Sequence, residues 1–72
     1  MEIKITTPYI KLDQLLKFAG TAQDGVMAKE MIKDGVCTVN GGIELRRGRK
    51  IYPGDAVIIK QDDGNVEINV TL

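Results

Sequence analysis

Arg46, Arg47, Arg49 and Lys50 place four of the chain's ten cationic side chains in five positions, with Gly48 among them. Guanidinium is a planar donor fork that pairs with phosphate bidentately and stacks on flat rings. Like charges at that density repel one another, so something anionic has to answer them. Two sources fit. One is a nucleic-acid backbone. The other is a set of nearby acids around a solvated loop, with Glu44 and Asp55 the nearest in sequence. Gly48 suits a backbone at positive φ or a close approach to a ligand, and suits a plain turn as well. Little else in the chain offers chemistry. There is no histidine and a single cysteine, so Cys37 lacks a histidine base and reads as a buried structural thiol. Asp24, Asp62 and Asp63 form no recognisable metal constellation, and no glycine loop of the P-loop type occurs. The expectation is a chain that is not an enzyme and uses neither a metal nor a small-molecule cofactor.

The elements that must position the cluster are short. Residues 2–6, Glu-Ile-Lys-Ile-Thr, alternate as a half-buried strand with Ile3 and Ile5 inward, and Thr7-Pro8 ends it. Leu12, Leu15, Leu16 and Ala19 recur at helical spacing and predict an amphipathic helix of about two turns. Asp13 in its first turn and Gly20 after its last apolar residue suit the two ends. Asp24 predicts the N-cap of a second helix, with Ala28, Met31 and Ile32 as its inner stripe and Gly35 as its stop. Val36 to Val39 reads as a strand, and Asn40-Gly41-Gly42 as a reverse turn. Ile43 and Leu45 alternate with Glu44 and Arg46, which predicts an extended segment with its charges outward. Ile51 returns to the core, Pro53-Gly54 predicts a type II turn, and Ala56 to Ile59 and Val66 to Leu72 predict two closing strands around the turn at Asp62-Asp63-Gly64-Asn65.

Seventy-two residues accommodate one domain, and a chain of that size buries only about 60% of its unfolded surface. Ten acids balance ten bases for a formal net charge of zero. That excludes a uniformly basic coat on nucleic acid but allows a local patch, because most of the acids lie away from the arginines. The N-terminus alternates rather than running apolar, and no apolar run is long enough to span a bilayer. A cytoplasmic protein without membrane contact is expected.

The ordered series Ile10-Lys11-Leu12-Asp13-Gln14-Leu15-Leu16-Lys17, Ala28-Lys29-Glu30-Met31-Ile32, Gly35-Val36, Val39-Asn40-Gly41, Arg46-Arg47-Gly48-Arg49-Lys50 and Pro53-Gly54-Asp55 resembles the S-four RNA-binding domain. That family is named after small-subunit ribosomal protein four. The resemblance covers about residues 9–59, and the short stand-alone bacterial members of the YaaA and YbcJ kind are the most similar in plan. It implies an α+β fold built on the αL motif, two short packed helices against a small, mainly antiparallel sheet of about four to five strands, in a single domain over 1–72. It further implies binding of structured RNA, ribosomal or transfer RNA or a ribosomal particle. A monomer is expected. Carried over by position, the contacting residues are Lys11, Gln23, Lys29, Arg46, Arg47, Arg49 and Lys50. Lys33 joins them only by its i+4 relation to Lys29. Many relatives carry Ser-Arg or Ser-Gly-Gly where this chain has Gln23-Asp24-Gly25, so an acid stands at a helix N-terminus where a phosphate would sit. The arginine run has no ring beside it except Tyr52, which could stack on a base but is expected rather at the core or rim next to Pro53. Recognition by shape and phosphate is therefore expected over base stacking. A protein-interaction module with little RNA affinity is the alternative.

Overall fold

Val39, Val57 and Ile68 are register partners across three adjacent strands, and so are Cys37, Ile59 and Val66. These two apolar rows explain why the sheet forms: each strand alternates, and the register brings the inward residues side by side. The computed structural model describes all residues from Met1 to Leu72. In chain order the elements are β1 (Glu2–Lys4), β2 (Ile10–Lys11), α1 (Leu12–Phe18), α2 (Gly25–Lys33), β3 (Cys37–Val39), β4 (Gly42–Ile43), β5 (Lys50–Ile51), β6 (Ala56–Ile59) and β7 (Val66–Thr71). Five strands make one sheet in the order β1-β7-β6-β3-β4, and β2 pairs with β5 in a separate two-stranded ribbon. All pairings are antiparallel except β1 with β7. The fold is α+β, two short helices and a small mixed sheet, in agreement with the expectation from sequence.

Leu12, Leu15 and Leu16 of α1 and Ala28 and Ile32 of α2 join the apolar rows of the sheet in one core cluster, closed by Ile5, Ala22, Ile51 and Val70. The spacing that predicted the helices is thus the spacing that buries them. Gly20 and Gly35 follow the two helices at φ +78° and +80°, the left-handed conformation that ends a helix at little steric cost for glycine. Cys37 is fully buried, and burial pushes its thiol up to about 11, so no thiolate is present at neutral pH. Asn40 and Gly41, at φ 50° and 89°, form the two-residue turn between β3 and β4. Positive φ at both positions matches the right-handed twist of the flanking strands.

One expectation is corrected. Glu44 was expected to point outward between inward Ile43 and Leu45. Instead Glu44 is buried at 6% exposure, while Ile43 and Leu45 are 68% and 60% exposed. The carboxylate turns in because a fan of donors waits there, described below. The two aliphatic side chains lie over Gly35, where an added Cβ would stand 3.8 Å from Leu45 Cδ2 and 3.9 Å from Ile43 Cγ2. Tyr52, expected at the core or rim, is outside the core at 48% exposure. Its alternation partner Ile51 takes the inward position.

Candidate nucleic-acid interface

The cationic run is a tight turn fastened to a helix. The amide of Arg49 donates to the carbonyl of Arg46 at 3.2 Å, which puts Arg47 and Gly48 at the tip. The first amides of a helix lack partners within it, and Lys11 at the N-cap of α1 supplies no side-chain bond. The turn answers them: Leu12 N–H donates to the Arg49 carbonyl at 2.9 Å and Asp13 N–H to the Arg47 carbonyl at 3.1 Å. Helix and turn therefore fix each other. Gly48 is not at positive φ, and a Cβ built on it would meet nothing within 4 Å. Backbone conformation does not require glycine here; its effect is to leave open space among the arginines.

Glu44 organises two of the four cations. Its carboxylate accepts from the amides of Leu45 and Arg46, each at 3.1 Å. Arg46 donates to both oxygens through Nε and Nη2 at 3.0 Å, and Arg49 Nη1 donates at 2.7 Å. The bidentate Arg46 pair is the strong geometry for guanidinium and carboxylate. The hydrogen bonds from Arg46 and then Arg49 hold the Glu44 carboxyl down from 4.5 to about 2. A depressed folded value means the unfolded chain takes up the proton first as acid is added. The Glu44 contribution is therefore complete above about pH 4.5 and disappears as pH falls towards 2. Arg46 is 74% exposed, and solvent screening limits that contribution to about 1 kcal/mol. Urea melts at pH 6 and pH 3 are expected to show that loss in the native chain and less of it in Glu44→Gln. Of the two acids expected to answer the arginines, Asp55 instead accepts from Asn40 Nδ2 at 3.0 Å and from Tyr52 N–H at 2.8 Å.

The remaining cations are unpaired and meet across the ribbon. Register places Ile10 opposite Ile51 and Lys11 opposite Lys50. Like charges directly opposite each other on a ladder destabilise it, and no acid is ion-paired with either. Arg47, at the tip beside them, is exposed and also makes no ion pair. Tyr9 and Tyr52 continue the outward side of the same ribbon. Their ring centroids are 5.9 Å apart and tilted by 52°, and Lys50 Nζ lies 4.9 Å from the centre of the Tyr9 ring. A groove of about 470 Å³ runs along Thr7, Pro8, Tyr9, Ile10, Lys11 and Gln14. A second, of about 360 Å³, runs along Arg46, Gly48, Arg49, Lys50 and Tyr52.

The structure thus brings together Lys11, Arg46, Arg47, Arg49 and Lys50. Gln23 precedes α2, and Lys29 and Lys33 ride on it, all three exposed, with no hydrogen bond or ion pair to the turn. The α2 N-terminus is taken by its own acid, since Asp24 Oδ1 accepts from Met27 N–H at 2.9 Å. Glu44, one of the two acids the sequence offered as a neutraliser, is the internal partner, although its inward orientation was not expected. Tyr9 as part of the surface was missed. A signal existed for it: Tyr9 lies two residues from Lys11, on the same side of an extended segment.

Residues 3–69 match the S4 domain family. A Bacillus subtilis (strain 168) protein named as a probable ribosome maturation protein, RlbA, is 45% identical over 58 residues, 81% of this chain and 82% of its own length. YbcJ of Escherichia coli (strain K12), whose name gives RNA binding as a suggested role, is 38% identical over 50 residues, 69% of this chain and 71% of its own.

Proposed function

The chain belongs to the S4 domain family, and from that premise we propose that it binds structured RNA, ribosomal or transfer RNA, without catalysing a reaction. The observation that carries this reading is the opposed pair Lys11 and Lys50 with Arg47 beside them, three cations with no acid of their own. A fold keeps such an arrangement at a cost in stability unless an external polyanion resolves it. Arg46 and Arg49 present their outer N–H groups from a frame set by Glu44, so they shape the site more than they add free charge. Gln23, Lys29 and Lys33 would extend the contact along the helical side. The name of the Bacillus relative favours an RNA met in the ribosome or its precursors.

The test is a salt titration against a structured ribosomal RNA fragment, comparing the native chain with Lys11→Gln/Arg47→Gln/Lys50→Gln. Three to four phosphate contacts give log K against log salt a slope of roughly −3. The triple variant is expected to flatten it to roughly −1 with circular dichroism unchanged. Equal slopes would remove the site from these residues. The exposed Ile43 and Leu45 favour a second reading, a protein-interaction module: a partner held that way would stay bound after nuclease digestion, and an RNA-bridged one would be released.

A further inference from the structure

Tyr52 is a large ring, half in solvent, on a backbone that is held at several points. Its N–H donates to Asp55 Oδ2 at 2.8 Å and its carbonyl accepts from Asp55 N–H at 3.0 Å. The Tyr9 ring supports it from the side at 5.9 Å. Ile51 beside it is fully buried. Such a ring is a pre-set platform, not a loose side chain finding its own cover. The groove it borders is otherwise lined by Arg46, Gly48, Arg49 and Lys50, so every other side chain in it is a cation, and Gly48 adds no bulk. About 360 Å³ is at the small end of ligand pockets, the scale of a single nucleotide. An exposed aromatic ring sharing a groove with guanidinium and ammonium groups matches one flat, acceptor-rich ring carrying a phosphate.

Resting on the RNA-binding reading, we propose that this groove receives one unpaired nucleobase of the structured RNA, stacked on Tyr52, with its phosphate against Lys50. Bases inside a continuous duplex are stacked on each other and expose no face to a protein ring. The preferred RNA therefore carries a bulged, looped or junction nucleotide next to paired segments. The helix contacts would come from phosphates on Lys11 and Arg47, and the choice among RNAs from Tyr52. Arg49 keeps one nitrogen on Glu44 and has its other donors free to meet ring acceptors of the stacked base.

The experiment measures binding to two RNA hairpins, one fully paired and one identical except for a single bulged adenosine. Stacking of one base on one aromatic ring gives roughly tenfold or more in affinity, so the native chain is expected to prefer the bulged hairpin by about that factor. Tyr52→Leu should bring the ratio close to one, and Tyr52→Phe, which keeps the ring, should retain the preference. A native ratio near one, or a preference that survives in Tyr52→Leu, would overturn the stacking proposal while leaving RNA binding in place. Failure of the native chain to bind either hairpin would overturn the RNA-binding reading and this proposal with it.

Discussion

Glu44→Ala is expected to melt roughly 10–20 °C below the native chain, the largest stability loss of any single change to the surface described here. One buried carboxylate accepts from two backbone amides and from two guanidinium groups. Alanine removes every acceptor at once, strands the amides of Leu45 and Arg46, and leaves two arginines facing each other without an anion. Unmade hydrogen bonds to charged and partly buried groups cost about 2–3 kcal/mol together. A chain of this length has a total stability of roughly 4–10 kcal/mol, so the change consumes a large share. Glu44→Gln, which keeps an acceptor oxygen and the side-chain volume but loses the charge, should fall between the two. Thermal melts followed by circular dichroism at pH 7 measure the series. A melting point for Glu44→Ala within a degree or two of native would mean that the carboxylate frame is not what holds the turn.

Neighbouring arginines of the same chemical type are expected to answer differently to the same substitution. Arg47→Glu reverses a charge that has no internal partner. RNA affinity should fall roughly tenfold to a hundredfold at low salt, the salt slope should lose about one unit or more, and the melting temperature should stay where it was. Arg46→Glu places a second carboxylate against buried Glu44. The like charge raises the proton affinity of both groups, and the melting temperature should drop by several degrees along with the affinity. Paired melting and binding curves for the two variants separate a cation kept for a ligand from one kept for the fold. If Arg47→Glu destabilised the chain as much as Arg46→Glu, the division of the cluster into framed and free cations would be wrong.

That division marks the limit of what the sequence makes legible. Helices and sheet follow from periodicity, because Leu12, Leu15 and Leu16 or Val57 and Ile59 repeat at the interval that buries them. The Asn40-Gly41 turn follows from backbone conformation alone. The ribbon between β2 and β5 does not, because two residues per strand carry no period. Yet that ribbon decides which cations face each other and places Tyr9 beside Tyr52. Glu44 was misread for a related reason. Alternation assumes that an apolar side chain outcompetes a charged one for the interior, and that fails where donors converge on the charged one. The cluster itself was visible, and so was glutamate as its possible neutraliser. What linear sequence could not apportion was which arginines the glutamate takes.

The sheet also has a history along the chain. Strand β7 lies between β6 and β1, and it is the last strand in sequence, while β1 is the first. During synthesis at about 5–20 residues per second, β1 waits several seconds for the only strand it pairs with. The helices, the arginine turn and the β2–β5 ribbon all emerge inside that interval. The residues of the cation surface therefore all precede the strand that closes the sheet, and closure comes only when β7 pairs between two strands separated by more than fifty residues. Such a pairing of distant segments is slow compared with the local helix pair. The strand that completes the sheet is thus made after every residue of the cation surface.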